Sequence, residues 1–350
     1  MSRATRNLVY FESWSDDRTA LSILANHGTV DVKALRYDAE ATENFAALRT
    51  AHGYQIATRG QLRRPWFGDA GLLRACPSLL AITSTGSGYD MIDIDACTEA
   101  GVIVCNQTGS NATAVAEHAV GLMLAVSKKI NEADRALRNA DERDRFGYGS
   151  INLSGKTVGI IGLGEIGRRT AALCRGFGMR VLAHDPYLTT AEIEARGAHG
   201  TPLRELLAAS DFVTVHCPRT DETMGMFDRS LFETMKPTAY FISTARGGVH
   251  DEDALYEALR SKRLAGAGLD VFLEEPPSAD HPLLTLENVV ATPHIAGLSA
   301  DALKTMASYA ATQWLDIFSG KVPPRLVNPE AWPLYARRFE AQFGFKPDAL

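Results

Sequence analysis

Three side chains able to do chemistry follow three apolar runs in the second half of the chain. Ala239-Tyr-Phe-Ile-Ser-Thr-Ala245 leads into Arg246, Ala267-Gly-Leu-Asp-Val-Phe272 into Glu274 and Glu275, and Val289-Val-Ala-Thr-Pro293 into His294. An imidazole titrates near neutral pH, so His294 can take a hydroxyl proton and give it back. A neighbouring Glu275 would orient the ring and favour its protonated form. Arg246 offers a planar donor fork for a carboxylate and for an oxygen on which negative charge grows. These are the types that hydride transfer at C2 of a 2-hydroxy acid asks for, with the redox chemistry carried by a nicotinamide and no metal or covalent nucleophile needed. Singly, an Arg, Glu or His at a strand end is usually a solvated loop residue. Placement after three consecutive runs makes them a set.

A second motif supplies the nicotinamide. Val158-Gly-Ile-Ile-Gly162-Leu-Gly164-Glu-Ile-Gly167 follows a predicted strand and opens a predicted helix, and Asp185 ends the next strand about 20 residues on. Gly162 would permit the tight turn, Gly164 the close approach of a pyrophosphate and Gly167 the packing of helix on strand. Helix N-terminal amides would then face the phosphates. The Asp185 carboxylate would accept hydrogen bonds from the adenine ribose and repel a 2′-phosphate. Pro186-Tyr187 brings no arginine to neutralise one, which favours NAD over NADP. The plainer alternative is that the glycines only turn and pack in an α/β domain that binds nothing; strand, helix and acid occurring together favour the dinucleotide.

These residues need a scaffold of alternating strands and helices. Leu8–Phe11, Tyr54–Ala57, Leu79–Thr83 and Val102–Val104 read as strands, and Thr42–His52 and Ile94–Ala100 as helices. A single long helix is expected from Ala112 to about Arg138, ended by the charged stretch Asp141–Ser150. Six further strands follow, at Thr157–Ile161, Arg180–His184, Phe212–Val215, Ala239–Ser243, Ala267–Asp270 and Val289–Thr292. Helices are expected at Ile166–Phe177, Pro202–Ala209, Asp228–Thr234, Glu252–Arg260 and Ala300–Phe318. The expected class is α/β, with parallel sheets covered by helices. The tail Lys321–Leu350, with four prolines, is expected to be irregular and surface-bound.

Composition narrows the partners. With 350 residues, 45% apolar and 22% charged, the chain suits two globular domains. A net charge of −6 gives no reason to expect nucleic acid. The apolar run Ala112–Val126 carries Glu117 and His118 and is too short for a membrane span, and Asn7–Phe11 is too short for a signal peptide. Five cysteines without a CxxC pair suggest reduced thiols and a cytoplasmic location. Neither His216-Cys217 nor His281 with His294 has metal-site spacing, so no metal is expected.

From about Ala81 to Gly297 the residues resemble the D-isomer-specific 2-hydroxyacid dehydrogenases. The resemblance runs through Gly86-Ser-Gly-Tyr-Asp-Met-Ile-Asp93, Asn111-Ala-Thr-Ala-Val-Ala-Glu-His118, the glycine motif with Asp185, and His216-Cys-Pro218 with Thr220 and Thr223. It continues through Thr244-Ala-Arg-Gly-Gly248, Gly268-Leu-Asp-Val-Phe272 with Glu274-Glu-Pro276, and Pro293-His-Ile-Ala-Gly297. It implies Arg246, Glu275 and His294 as the catalytic set. It also implies NAD held by Gly162, Gly164, Glu165, Ile166, Gly167, Asp185, His216, Cys217, Pro218, Thr223, Thr244, Ala245 and Gly297, with Asp270 on the nicotinamide carboxamide. Substrate would meet the amides of Ser87 and Gly88 and the side chain of Asn111, which could also cap the following helix. The implied architecture is two doubly wound domains: a flavodoxin-like substrate domain (1–108 and 299–350) and a Rossmann NAD-binding domain (109–298). The implied assembly is a homodimer built around the 112–138 helix.

Departures from the family bear on substrate. Members acting on phosphoglycerate carry arginines where this chain has Ser84 and Ala57, although Arg59, Arg63, Arg64 and Arg74 lie near in sequence. A glyoxylate- or hydroxypyruvate-sized acid is therefore favoured. D-3-phosphoglycerate dehydrogenase and a non-enzymatic NAD-sensing protein, like the corepressors that share this fold, stay open as alternatives. Formate oxidation is disfavoured, because it releases no substrate proton for a His–Glu pair. His250, where an apolar residue is usual, is expected to be structural.

Overall fold

A computed structural model of the chain describes residues 5–14, 18–57, 62–139 and 148–350. Arg59 and residues 141–147 of the charged stretch lie outside them. The chain divides into two compact units, Met1–Asn111 with Ala300–Leu350, and Ala112–Ser299.

In the first unit β1 (Arg6–Phe11), β2 (Val30–Leu35), β3 (Gly53–Ile56), β4 (Ala81–Ser84) and β5 (Ile103–Cys105) form a parallel sheet in the order β2-β1-β3-β4-β5. That is the flavodoxin-like doubly wound order. The strands alternate with α1 (Thr19–His27), α2 (Ala41–Arg49), α3 (Ala70–Ala75) and α4 (Ile94–Ala100). β3 and β4 are buried along their full length, as central parallel strands must be.

The second unit begins with α5 (Ala112–Ser127) and α6 (Ile130–Asn139). The single helix expected over 112–138 is thus two, because Lys129 sits at φ +55°, outside helical space. β6 (Thr157–Ile161), α7 (Glu165–Gly176), β7 (Arg180–His184), α8 (Thr190–Ala195) and β8 (His199–Gly200) follow, then α9 (Leu203–Ala209), β9 (Phe212–Val215), α10 (Arg229–Thr234) and β10 (Tyr240–Ser243). The unit ends with α11 (Glu252–Arg260), β11 (Gly266–Leu269) and β12 (Val289–Ala291). The sheet order is β12-β11-β10-β9-β6-β7-β8, all parallel, with the strand order reversing at the β6/β9 switch point.

After β12 the chain returns to the first unit as α12 (Ala300–Ser319), which buries Trp314 and Phe318. Gly53 lets the indole lie on β3: a Cβ there would stand 2.4 Å from Trp314. The tail is not irregular. It forms α13 (Trp332–Phe343), with Trp332, Tyr335 and Phe339 buried. Pro333 lies in its first turn, where a missing N–H costs nothing. Among the described residues no helix is long and apolar enough to cross a membrane. All five cysteines are free thiols.

Candidate active site

The three candidate catalytic residues follow adjacent strands of one sheet: Arg246 after β10, Glu275 after β11 and His294 after β12. Neighbouring strands lie about 4.8 Å apart, so the first and last of these ends are separated by about 10 Å. His294 Nδ1 lies 2.8 Å from Glu275 Oε2, and Oε1 of the same carboxylate accepts the Phe272 N–H at 3.1 Å. An ionised carboxylate only accepts, so Nδ1 carries the hydrogen and Nε2 is the nitrogen left for another partner. His294 adopts φ +55°, a conformation costing about 1–3 kcal/mol for a non-glycine residue. The Arg246 guanidinium turns one nitrogen to the carbonyl of Ala245, at 2.8 Å.

Asp270 ties these loops together. It is 1% exposed, and its carboxylate accepts the Thr292 hydroxyl at 2.6 Å and the amides of Ile295 and Ala296 at 2.9 and 3.0 Å. Its own carbonyl accepts the His294 N–H at 2.8 Å. His118, on α5, approaches Thr292 Oγ1 at 2.9 Å through Nε2. Sequence reasoning left both Thr292 and His118 without a role, although His118 ends one recognised motif and Thr292 immediately precedes another; nothing in the spacing says that α5 meets the end of β12.

The glycine loop can be tested for fit to a dinucleotide. Gly162 has φ +86°, and a Cβ on it would stand 2.9 Å from the backbone nitrogen of Cys217. Gly167 packs under the loop, where a Cβ would lie 2.1 Å from the Gly162 carbonyl oxygen. Gly164 faces open space, with nothing among the described residues within 4 Å of a Cβ, and as the N-cap of α7 it brings no side chain to the helix amides. Free amides at Glu165, Ile166 and Gly167 beside an open glycine suit a pyrophosphate. Asp185, at the end of β7, accepts the Leu163 amide at 2.8 Å and the Tyr187 amide at 3.1 Å, which leaves carboxylate lone pairs for ribose hydroxyls. The residues present fit NAD.

The other expected contacts differ in what they do. Glu165 turns its carboxylate to Arg168 and Arg169, whose proximity lowers its ionisation range. The His216 ring lies 3.1 Å from the Thr214 hydroxyl and 3.4 Å from that of Thr244, and loss of hydration pushes it down to about 3, so it is neutral. Burial pushes the Cys217 thiol up to about 11, which makes it a poor nucleophile at neutral pH. Thr223 closes its own loop, with its hydroxyl on the Pro218 carbonyl at 2.7 Å. Gly297 lies in the turn after His294. An arginine that sequence reasoning did not bring to this end, Arg196, donates to the Leu163 carbonyl at 2.7 Å. Among the described residues no group of three His, Cys, Asp or Glu could hold a metal ion.

Ser87, Gly88 and Asn111 belong to the other unit. Gly86, at φ +80°, is held by Gln107, whose Oε1 accepts its amide at 3.0 Å, while Asn106 Nδ2 donates to the Ser87 carbonyl at 3.0 Å. Asn111 does not cap α5: its Oδ1 is buried without a hydrogen-bond partner among the described residues. His250 is buried against Phe241, with ring centroids 5.4 Å apart.

A doubly wound parallel sheet with an open glycine loop at its switch point and an acid ending the next strand defines a dinucleotide-binding α/β protein. The family model for the D-isomer specific 2-hydroxyacid dehydrogenase NAD binding domain matches residues 120–296. The chain is 42% identical over 261 residues to D-3-phosphoglycerate dehydrogenase of Archaeoglobus fulgidus, covering 74% of this chain and 49% of that one. It is 39% identical over 268 residues to glyoxylate reductase of Korarchaeum cryptofilum, covering 75% and 80%. The crystal structure of D-lactate dehydrogenase from Aquifex aeolicus, complexed with NAD and lactic acid, matches with a TM-score of 0.78 at 26% identity, covering 92% and 99%. The chain thus spans about half the length of the phosphoglycerate dehydrogenase it matches. It belongs to the D-isomer-specific 2-hydroxyacid dehydrogenase family and carries that family's NAD binding domain.

Proposed function

We propose that the chain is an NAD-dependent oxidoreductase interconverting a small D-2-hydroxy acid and its 2-keto acid. The observation that carries this reading is the His294–Glu275 pair, 2.8 Å apart, on the sheet edge that also presents Arg246. NAD, when bound, supplies the hydride carrier. In reduction, His294 Nε2 hands a proton to the C2 oxygen while Glu275 holds Nδ1 and steadies the ring. In oxidation the same nitrogen takes the hydroxyl proton. Arg246 binds the carboxylate and the C2 oxygen, where charge develops.

The 112–299 unit is assigned to the cofactor and the unit containing 1–111 to the substrate. In the latter, the Ser87 and Gly88 amides bind the substrate carboxylate, and the unpaired Oδ1 of Asn111 supports a polar ligand beside it. We assign a glyoxylate- or hydroxypyruvate-sized substrate, supported by Ser84 and Ala57 in place of arginines and by the glyoxylate reductase relative. The 42% identical relative named D-3-phosphoglycerate dehydrogenase favours a phosphorylated acid as the second reading. We further assign a homodimer and a cytoplasmic location, the latter supported by the five free thiols.

NADH oxidation measured over glyoxylate, hydroxypyruvate, pyruvate and 3-phosphohydroxypyruvate tests the reading. Turnover is expected, fastest with an unphosphorylated acid. Binding of NADH with no turnover of any 2-keto acid would leave only a nucleotide-binding protein.

A further inference from the structure

Three consecutive amides, those of His294, Ile295 and Ala296, all end on Asp270. We propose that His118 and Thr292 are positioning residues that act through Asp270 to hold His294 and the nicotinamide-facing loop in register. The proposal rests on the assignment of His294 as proton carrier.

The direction of the hydrogen bonds follows from counting protons. Thr292 has one hydroxyl hydrogen and two neighbours, Asp270 Oδ1 at 2.6 Å and His118 Nε2 at 2.9 Å. A carboxylate can only accept, so the hydroxyl donates to Asp270 and must accept from His118. His118 is thereby fixed with its hydrogen on Nε2, and the chain runs from imidazole N–H to hydroxyl to carboxylate. Each link polarises the next, and enclosure of Asp270 strengthens all of them.

What this chain holds is the backbone that presents the catalytic imidazole. His294 sits in the left-handed region, where a non-glycine residue stays only if its surroundings fix it. Its amide goes to the Asp270 carbonyl, and the next two amides go one to each carboxylate oxygen. The carboxylate can receive both only while it keeps its present rotation. Thr292 and His118 press on one side of it, from the end of β12 and from α5, elements far apart in sequence. Oδ2 receives only the Ala296 amide among the described residues, so it could accept a further N–H, as from the carboxamide of a bound nicotinamide. The same rotation therefore serves proton carrier and cofactor. None of this requires His118 or Thr292 to touch substrate.

The test uses the full-length protein and four substitutions: Thr292→Val and His118→Leu, which break the chain, and Thr292→Ser and His118→Gln, which keep a hydroxyl and an Nε2–H donor. Kinetics are measured with NADH and the best of glyoxylate, hydroxypyruvate and pyruvate. Hydrogen exchange of the 293–298 segment is followed without substrate. Thr292→Val and His118→Leu are expected to lower kcat by about tenfold or more, with KM for the keto acid changed by less than about threefold, since misplacing a catalytic group costs the chemical step. Exchange of the Ile295 and Ala296 amides is expected to rise by about tenfold or more, and the conservative pair should recover both readouts. Unchanged exchange and unchanged kcat in Thr292→Val would overturn the proposal. A lowered melting temperature with kcat per folded molecule intact would overturn it as well. If the wild type turned over no keto acid, the assignment of His294 would fail, while the exchange measurement would still decide whether the tether exists.

Discussion

His250 shows how much one buried polar ring constrains the protein. It is 2% exposed, neither ring nitrogen has a hydrogen-bond partner among the described residues, and burial pushes its pKa down from 6.5 to about 4. Below pH 6.5 an unfolded chain takes up a proton that the folded chain refuses, so this group lowers stability as pH falls from 6.5 toward 4 and has no effect above that window. The loss is about 2 kcal/mol by pH 5. Urea unfolding at pH 7 and pH 5 checks this: His250→Leu should lose about 2 kcal/mol less than wild type between the two. Identical losses would mean that the ring finds a partner when protonated. The sequence showed only an unusual residue at this position; its burial depends on the chain folding back after β10 so that the ring meets Phe241 on that strand. The placement of Glu275 and His294 beyond neighbouring strands was legible because each comes within three residues of the end of an apolar run. Asp270 was legible only by resemblance, and its tether to His118 not at all.

Among the elements, the loop between β6 and α7 separates two uses of glycine. A Cβ at Gly167 would collide with the Gly162 carbonyl oxygen, whereas one at Gly164 would meet nothing. Gly167→Ala should therefore lower the melting temperature by several degrees. Gly164→Ala should leave it within about a degree yet weaken NADH binding by about tenfold or more, because the methyl group occupies the pyrophosphate's approach. Thermal melts and NADH fluorescence titration separate the two. At the other end of the chain, Arg338 on α13 donates to the carbonyls of Pro77, Leu79, Ala100 and Gly101 at 2.7–3.0 Å. Arg338→Ala should cost about 2–3 kcal/mol in urea unfolding, as four backbone carbonyls, three of them in partly buried hydrogen bonds, lose a charged donor. This helix was invisible in a proline-rich tail, because Pro333 reads as a breaker unless its place in a first turn is known. β2 was missed for another reason: as a sheet edge it carries Asp31 and Lys33 and lacks the continuous apolar run that gave β6, β7 and β9 to within a residue.

Across the chain one device recurs. Parallel strands deliver polar loops at their carboxyl ends: Gly86-Ser87-Gly88 after β4, the glycine turn after β6, and Arg246, Glu275 and His294 after β10, β11 and β12. Such ends are where open α/β sheets bind ligands, and strand polarity is readable from sequence once the alternation of strand and helix is recognised. The split of the long helix at Lys129 was not readable, since a single left-handed residue leaves no compositional trace. The proposed proton transfer depends on His294. The measurement that bears on it most directly is kcat of His294→Ala with the best keto acid, taken beside its NADH affinity. A fall of about 10²–10⁴-fold with NADH binding kept is predicted. Turnover at the wild-type rate with the cofactor site intact would contradict it.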